Sequence, residues 1–453
     1  MITRVKWRNH AVLGDLELDF TKANGTPYNT IVLAGENGTG KTSILGTLAN
    51  FLNGVSFEPF KSISYTVNGN DFTAFRNTDE AARLGYYDRI NNATGTHTRI
   101  RSNQNFSKEK INEDADDIRH YGCAYSRAKS GFKTNAVKSI DANELDSNSN
   151  LNDASDDYTS IKSMLISVDN QDNSKWAEIS KSGVATTWAE FSQMSKMHRF
   201  EHAFNSFFDN IAYDRIDTSG SEFKVLFTKH GKHIALDNLS TGEKQIVFRG
   251  AYLLKNIRSL DGGIVLIDEP ELSMHPKWQQ KVLEFYRNLF NVDGKQTAQM
   301  IIATHSEYVV KSALENGSNV LVIALTDDNG KINPNRITAP GVLPCITAAE
   351  TNYLAFDIVS NDYHIELYGY LQTKYQKFTV QACDNFIAAD KRYYNPALHG
   401  RPSSYTNPKA NQPTNYKTLP TYIRNQIDHP NPVPQFTEQE LRTSIELLRK
   451  LCK

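Results

Sequence analysis

Hydrophobic residues follow two patterns in this chain: short unbroken apolar runs, and apolar positions spaced three or four residues apart. The runs predict buried strands, and the wider spacing predicts helices that bury one face. In chain order these segments are strands at Ile2 to Trp7, Leu13 to Phe20 and Tyr28 to Ala34, helices at Lys41 to Leu52 and Gly242 to Ile257, a strand at Gly263 to Asp268, a helix at Pro276 to Phe290, and strands at Gln299 to Thr304 and Val320 to Leu325. Alternating strands and helices predict an α/β fold with a parallel sheet and helical crossovers.

Residues 56–234 have mixed patterns and are predicted to be an insertion within this α/β head, which comprises residues 1–55 and 235–344. The parts predicted inside it are strands at Tyr121 to Arg127 and Lys224 to Thr228, an aromatic-rich helix at Thr187 to Asn210, and a flexible Ser/Asn/Asp-rich loop at Thr134 to Asp157. No heptad repeat runs through the insertion, so the sequence does not predict a long coiled-coil arm.

After about Pro344 helical patterns dominate and predict a separate all-helical C-terminal domain over residues 345–453. A Pro/Asn/Ser-rich stretch from Tyr394 to Pro420 is predicted to be a loop between these helices. The predicted fold is therefore a mixed sheet with flanking helices, interrupted by a long insertion and followed by an all-α domain.

Composition indicates the cellular compartment of the protein but not the kind of partner that it binds. Lysine and arginine total 50 and aspartate and glutamate total 51, so bulk charge neither favours nor excludes nucleic acid. The four cysteines lack the close pairs of a zinc or redox motif, and no apolar run approaches the roughly 20 residues that span a bilayer. No secretory leader precedes the first strand. These features favour a cytoplasmic protein.

Residues 35–42, Gly-Glu-Asn-Gly-Thr-Gly-Lys-Thr, connect a predicted buried strand to a predicted helix. Glycines in such a loop let backbone N–H groups turn toward phosphates, Lys41 supplies a positive charge, and the Thr42 hydroxyl can bind Mg²⁺. The alternative interpretation is a Gly-rich turn without function. The predicted nucleotide-binding residues are Asn37, Gly38, Thr39, Gly40, Lys41, Thr42 and Ser43.

Two acids, Asp268 and Glu269, end a strand that is otherwise apolar, which places them at the carboxyl edge of the predicted parallel sheet. Asp268 is expected to bind Mg²⁺ together with Thr42, and Glu269 to orient or deprotonate the water that attacks the γ-phosphate. His305 follows another buried strand and is expected to reach the same phosphate. Its alternative role is that of a surface histidine capping the next helix.

Leu239 to Gln245 opens a helix, so Ser240 and the N–H groups near Gly242 form a predicted anion site at the positive end of the helix dipole. Alone this pattern is only a helix cap. Its significance comes from order, because the phosphate loop precedes it and the Asp268-Glu269 strand and His305 follow it.

In this order the segments resemble those of ABC-type ATPases, and more closely the soluble branch that includes SMC proteins, DNA-repair ATPases and OLD-family nucleases. Leu239 to Gln245 resembles the ABC signature, with Thr241 where glycine is commoner. Glu271 to Pro276 resembles the D-loop of the soluble branch, and His305 resembles the switch histidine. The resemblance covers residues 1 to about 55 and about 235 to 326.

The resemblance implies an ATPase that uses Mg²⁺ and forms a head-to-tail homodimer. ATP held by Lys41 of one subunit would be covered in trans by Ser240, Gly242 and Glu243 of the other. A glutamine that couples the ATP site to the insertion is not identifiable, and Gln104 and Gln171 are candidates without support.

Three C-terminal segments, residues 351–356, 364–370 and 422–430, resemble the tail of anti-phage ATPases of the PtuA type, which belong to Septu and retron-associated systems. This resemblance implies an HNH-type nuclease partner, higher oligomers and gated cleavage of DNA or RNA, including retron-derived nucleic acid. Arg424-Asn425 followed by His429 also resembles the RNA-cleaving motif of HEPN ribonucleases. Alternatively, both side chains simply cap and solvate a helix end.

The preferred hypothesis from the sequence is a cytoplasmic ABC-type ATPase that regulates a nuclease in an anti-phage complex. Two rivals stay open. One is a self-contained RNA-cleaving toxin with its site at Arg424 and His429, and the other is a DNA-tethering repair ATPase without a nuclease partner.

Overall fold

The computed structural model describes residues 1–78, 85–102, 113–129, 131–140, 145–147, 150–152, 157–183, 185–337, 341–406, 413–429 and 435–453. They form two compact units, Met1–Asn335 and Arg336–Lys453. Within these ranges, no helix combines the length and the apolar character that crossing a bilayer requires.

The strands up to residue 337 are β1 (Ile2–Trp7), β2 (Glu17–Asp19), β3 (Thr30–Gly35), β4 (Phe60–Val67), β5 (Asn70–Phe75), β6 (Tyr86–Asn91), β7 (His97–Arg101), β8 (Cys123–Ser126), β9 (Asn150–Asn152), β10 (Ile211–Asp217), β11 (Lys224–Lys229), β12 (Lys232–Ala235), β13 (Ile264–Asp268), β14 (Asn291–Val292), β15 (Lys295–Gln296), β16 (Gln299–Thr304), β17 (Val320–Asp328) and β18 (Lys331–Ile337). The helices are α1 (Lys41–Leu52), α2 (Thr159–Lys181), α3 (Trp188–Met194), α4 (His198–Phe207), α5 (Thr241–Lys244), α6 (Gly250–Leu254), α7 (Pro276–Leu289) and α8 (Glu307–Glu315). A π-helical turn, Gln245–Arg249, joins α5 to α6.

Two large sheets organise the first unit. One is antiparallel with the order β2-β1-β4-β5-β6-β7, and the other has the order β18-β17-β3-β16-β13-β8-β9. In the second sheet β17, β3, β16, β13, β8 and β9 run parallel. Helix α1 contributes Ile44, Leu45, Leu48 and Phe51 to a core that includes residues of both sheets. The predicted α/β fold with a mixed set of strands is confirmed.

Register fixes which residues meet at the carboxyl edge of the parallel strands. Asp268 pairs with Ala303, and Thr304 pairs with Ala34. Ser126, the last residue of β8, pairs with Ile267. Parallel strands end at a common edge, so the phosphate loop, the two acids at the end of β13 and the residues after β16 and β8 emerge side by side.

Much of the predicted insertion belongs to the two sheets. Strands β4 to β7 complete the antiparallel sheet that β1 and β2 begin, and β8 and β9 extend the parallel sheet beside β13. Alternating apolar positions in β4 and β5 are buried because one face of that sheet packs on the core. The predicted flexible loop, Thr134 to Asp157, lies partly outside the described residues.

The second unit contains helices α9 (Ala348–Phe356), α10 (Asn361–Lys374), α11 (Val380–Ala389), α12 (Pro396–His399), α13 (Leu419–Asp428) and α14 (Glu438–Cys452), and strands β19 (Gly400–Thr406) and β20 (Pro413–Thr418). Its core includes Leu367, Leu371, Ile387, Ile445 and Leu448. The predicted helices are confirmed, with one correction to the all-helical interpretation. The stretch expected to be a loop contains β19 and β20, which pair antiparallel. Its Pro/Asn/Ser-rich composition is typical of loops, so the sequence did not predict these two strands.

Candidate nucleotide site

Glycine is required at two points of the phosphate loop by its close packing. A Cβ atom on Gly35, which has φ +148°, would lie 2.5 Å from the Leu325 carbonyl oxygen. A Cβ atom on Gly40, with φ +82°, would lie 2.5 Å from Leu13 Cδ2. Any other residue would therefore displace the backbone or its neighbour.

Lys41 begins α1 and is buried beneath the loop that precedes it. Its Nζ donates to the carbonyl oxygens of Gly35, at 2.7 Å, and Glu36, at 2.8 Å. Burial lowers the pKa of Lys41, and the nearby carboxylates of Glu269 and Asp268 oppose that shift. The ammonium group is thus held inside the phosphate loop. There the negative charge of an anionic ligand would compensate for the water that burial removes.

Asp268 and Thr42 meet across the sheet edge, as expected of a magnesium pair. Burial raises the pKa of the Asp268 carboxyl, and the neighbouring Thr42 hydroxyl opposes that shift. Asp268 Oδ1 is buried and finds no hydrogen-bond partner among the described residues. A hydroxyl beside an unsatisfied carboxylate oxygen suits Mg²⁺, which prefers oxygen ligands and needs only one or two from the protein beside phosphate. The residues present therefore fit the ion.

Glu269 adopts an uncommon backbone conformation, with φ +44°. Its N–H donates to the Ala303 carbonyl oxygen at 2.9 Å, so the chain turns sharply away from β13 while still bonded to β16. The side chain is 24 % exposed, and Oε1 lies 3.4 Å from His305 Nδ1. Left-handed backbone at a non-glycine residue is often found at functional sites, where surrounding contacts maintain it.

His305 lies between two carboxylates, and one of them, Glu271, was missed as a site residue by sequence reasoning. His305 Nδ1 lies 3.5 Å from Glu271 Oε1, and the same oxygen accepts from Thr304 Oγ1 at 2.7 Å and from the His305 N–H at 3.1 Å. The histidine does not cap α8, because Ser306 does so. The alternative role as a helix cap is therefore wrong.

The segment that opens α5 is capped by its own residues. The Ser240 hydroxyl accepts from the Glu243 N–H, and the Glu243 carboxylate accepts from the Ser240 N–H at 2.8 Å and from Lys229 Nζ at 2.6 Å. These bonds give buried Glu243 a structural role within its own chain. Gly242 has one too, since a Cβ there would lie 2.7 Å from the Ser273 carbonyl oxygen. Ser240 and the neighbouring Thr241 are exposed at the helix start.

The structure describes one of the two glutamines considered for coupling. Gln104 lies outside the described residues. Gln171 is in α2, where its amide group hydrogen-bonds Ser167 Oγ and Lys196 Nζ. A different glutamine, Gln245, is buried and donates to the Lys129 carbonyl oxygen at 2.6 Å, just after β8.

The two residues of the predicted RNA site in the second unit, Arg424 and His429, contact different side chains. Arg424 forms an ion pair with Asp428 at 2.5 Å and a hydrogen bond to Asn425 Oδ1 at 3.1 Å. His429 Nε2 hydrogen-bonds the Tyr405 hydroxyl at 3.0 Å, and the two rings stack with centroids 4.9 Å apart. These contacts match the alternative in which both side chains solvate and stabilise a helix end.

A phosphate loop after β3, an acid pair at the end of β13 and a histidine after β16, all at one edge of a largely parallel sheet, define a P-loop nucleotide-binding fold. Residues 31–311 match the family described as "AAA domain, putative AbiEii toxin, Type IV TA system". The chain belongs to this family.

Curated relatives align over parts of the chain. The chain is 36 % identical over 91 residues to the retron Vc95 probable ATPase of Vibrio cholerae serotype O1 biovar El Tor, covering 18 % of this chain and 17 % of that protein. It is 33 % identical over 125 residues to the retron Ec83 probable ATPase of Escherichia coli, covering 25 % and 21 %. It is 28 % identical over 117 residues to the Septu protein PtuA of Bacillus thuringiensis, covering 23 % and 28 %. The alignments span less than a third of each relative.

Among solved structures, the chain is similar to an SMC head bound to the C-winged helix domain of ScpA, with 14 % identity, a TM-score of 0.40, and coverage of 75 % of this chain and 98 % of that chain. It is also similar to the SMC head domain from Thermotoga maritima, with 13 % identity, a TM-score of 0.39, and coverage of 75 % and 99 %. The assignment of the fold rests on the strand order and phosphate loop of the chain itself.

Proposed function

We propose that this protein binds and hydrolyses ATP with Mg²⁺ between two copies of itself, and that its ATP state regulates a nuclease partner in anti-phage defence. The observation that carries the ATPase part is the convergence of Lys41, the Thr42–Asp268 pair, Glu269 and His305 on one sheet edge. Each has the chemistry that one part of a triphosphate site requires.

In this proposal each side chain has a separate task. Lys41 exchanges two loop carbonyl oxygens for phosphate oxygens, while Thr42 and Asp268 hold Mg²⁺, which neutralises phosphate charge when bound. Glu269 accepts a hydrogen bond from the attacking water and takes up its proton. His305, 3.4 Å from Glu269, is near enough to orient that carboxylate and to contact the terminal phosphate.

The second half of the pocket would come from a second copy. Ser240 and Thr241 are exposed at the start of a helix, where the helix dipole favours anions. Gly242 brings this start against the D-loop residue Ser273 of its own chain. ATP of one subunit would thus be covered by the Ser240 segment of the other, and Glu243 would act through the helix cap. Loss of the γ-phosphate would then reopen the dimer.

Similarity to the retron probable ATPases and to Septu PtuA supports a role in anti-phage defence. In this proposal the chain is a cytoplasmic subunit that forms a homodimer and then a higher oligomer, binds an HNH-type nuclease, and acts near DNA or RNA, including retron-derived nucleic acid. Coupling between ATP and the nuclease of about 1 to 3 kcal/mol would be enough for regulation.

Neither rival is favoured by a specific contact. The partners of Arg424 and His429 do not hold the two side chains at one site, which argues against the self-contained RNA-cleaving toxin. A tethering ATPase needs long arms, and α2, the longest helix in the described part of the chain, has 23 residues. That corresponds to roughly 35 Å.

The test is co-purification of the chain with the products of its neighbouring genes, followed by assays of ATP turnover and nucleic-acid cleavage with and without ATP. We expect a nuclease to co-purify and its activity to change with ATP in the wild type but not with Lys41→Ala. Cleavage that is indifferent to both ATP and the substitution would refute the regulatory role.

A further inference from the structure

Arg249 lies at the end of the π-helical turn Gln245–Arg249, and its side chain is fully buried. Nothing in the sequence motifs marks it, because it occupies one position in an otherwise apolar helical segment. A π-helical turn in the middle of a helix is uncommon and often occurs at functional sites.

The guanidinium group uses all five of its N–H donors. Nε donates to Ser126 Oγ at 2.8 Å, Nη2 donates to the carbonyl oxygens of Ser126 at 3.1 Å and Asp268 at 2.8 Å, and Nη1 donates to the Glu269 carbonyl oxygen at 3.0 Å and to Gln245 Oε1 at 3.4 Å. Arginine offers five donors in a rigid planar arrangement, so no other residue can make this set of bonds.

Two of these bonds hold the backbone on which catalysis is proposed to depend. They fix the carbonyl groups of Asp268 and Glu269, one before and one after the Glu269 Cα atom, where φ is +44°. Left-handed backbone at glutamate is unfavourable by about 1 kcal/mol or more and persists only where neighbouring contacts define it. Arg249 supplies such contacts from inside the core.

The remaining bonds connect this turn to the helix that begins at Ser240. Arg249 and Gln245 lie in the continuation of α5, and Gln245 also binds the Lys129 carbonyl oxygen beyond β8. One buried cluster, Ser126, Gln245, Arg249 and the Asp268-Glu269 backbone, therefore joins the segment that would meet the partner's ATP to the carboxylate that would act on the subunit's own ATP.

We propose that Arg249 is a positioning residue for Glu269 and ties its carboxylate to the helix that starts at Ser240. This inference depends on the proposed ATPase function and adds a residue to it. Arg249 touches neither substrate nor metal in this account. It acts by holding the backbone that aims Glu269, so its loss should slow the chemical step without weakening nucleotide binding.

The first test compares Arg249→Lys with the wild type. Lysine keeps the charge, but its three donors lie on one nitrogen and cannot reach all the acceptors. We expect kcat to fall about 10- to 100-fold while the Kd for a fluorescent ATP analogue changes by less than about two-fold. A kcat within two-fold of the wild type, or a Kd that changes as much as kcat, would overturn the proposal. Arg287→Lys, a largely buried arginine paired with Glu284, is the matched control and should keep wild-type turnover.

A second test separates this proposal from the ATPase proposal itself. Glu269→Gln alone should form ATP-dependent dimers, and Arg249→Lys added to it should leave the ATP concentration for dimerisation unchanged, because Arg249 is inferred to act through the carboxylate. A wild type without turnover, or Glu269→Gln without dimers, would refute the ATPase proposal. Loss of dimers only in the double variant would refute the positioning role.

Ser126→Ala provides the test if Arg249→Lys does not fold. It removes the Oγ acceptor of Arg249 Nε and leaves the other four bonds in place. We expect a fall in kcat of about three-fold, with the same Kd and a melting temperature near that of the wild type. Unchanged turnover in folded Ser126→Ala would then count against the proposal.

Discussion

The sequence predicted two functional sites, and these differ in how many of their polar groups have partners in the protein. At the nucleotide edge, Asp268 Oδ1 and Glu271 Oε2 are buried without hydrogen-bond partners among the described residues, and Glu269 has a strained backbone. In the C-terminal unit, Arg424 is paired with Asp428 and His429 is stacked on Tyr405, both in ordinary geometry.

This difference identifies the better candidate for a functional site. Unsatisfied buried oxygens and left-handed backbone cost stability, so a fold tolerates them where a ligand or a reaction makes use of them. Paired surface groups need no such explanation. The comparison therefore favours the nucleotide edge over Arg424 and His429, and five experiments test it.

The largest effect should come from Glu269→Gln. The amide keeps the size of the side chain but cannot accept the proton of the attacking water, so steady-state turnover should fall about 100- to 1,000-fold while ATP still binds. Turnover by phosphate release and dimers by size-exclusion chromatography with ATP are the measurements. Glu284→Gln, on an exposed part of α7, is the control, and ordinary turnover in Glu269→Gln would remove the assigned role.

Lys41→Ala should have the next largest effect. Its ammonium group is already aligned on two loop carbonyls, so the charge is in place before ligand arrives. Losing charge-assisted bonds of about 1.5 to 3 kcal/mol should weaken ATP binding about 10- to 100-fold by isothermal titration calorimetry. Lys311→Ala, at a partly exposed position of α8, should bind ATP normally. Equal affinity in the wild type and Lys41→Ala would show that the loop does not bind phosphate.

The C-terminal unit should instead respond to acid through a buried histidine. His364 is fully buried, donates to or accepts from Ser444 Oγ at 2.9 Å, and has a pKa lowered by burial from 6.5 to about 3. A lowered folded-state pKa means that stability is complete above pH 6.5 and decreases as pH falls toward 3, by about 1.4 kcal/mol per unit.

Chemical denaturation of the C-terminal transition at pH 7 and pH 5.5 measures this effect. His364→Gln cannot titrate, so we expect its stability to change less between the two pH values than that of the wild type. The same pH slope in both proteins would show that another group is responsible.

Asp268→Asn should produce a smaller effect. It should stabilise the ligand-free fold, although it alters a side chain that is proposed to hold Mg²⁺. Burial raises the pKa of Asp268, so the ionised carboxylate destabilises the ligand-free fold at pH values above that raised pKa. The variant should melt about 1 to 3 °C higher at pH 7 without nucleotide, and the difference should vanish near pH 3, where Asp268 is protonated in both folded and unfolded states. Differential scanning calorimetry tests this, and a lower melting temperature at pH 7 would contradict the account.

The smallest effect is expected for His429→Ala. Among the described residues, the hydrogen-bond and stacking partner of the His429 ring is Tyr405 and not Arg424. Loss of the ring should therefore leave ATP turnover and any RNA cleavage within about two-fold of the wild type. Cleavage of labelled RNA by the purified protein is the measurement. Loss of cleavage in this variant alone would restore the rival hypothesis of an RNA-cleaving toxin.

Several parts of the fold and site were predictable because they depend on neighbours in the chain. The strand, phosphate loop and helix around Lys41 follow from glycine spacing, and the acids after β13 follow from one apolar run. The hairpin of β19 and β20 was not predictable in this way, since its residues lack the alternation of a half-buried strand. Glu271 was read as part of the D-loop only, because its contacts with Thr304 and His305 are about 30 residues away in sequence.

A phosphate loop, an acid pair and a histidine at the ends of three strands can be recognised in the sequence alone, because each is encoded within a few residues. The groups that surround them depend on how distant segments pack in the folded protein. Arg249 binds Ser126 across 123 residues of chain, and β8 takes its place beside β13 through parallel pairing. Such contacts arise when distant segments bury their polar groups together, and no local pattern records which partners they will find.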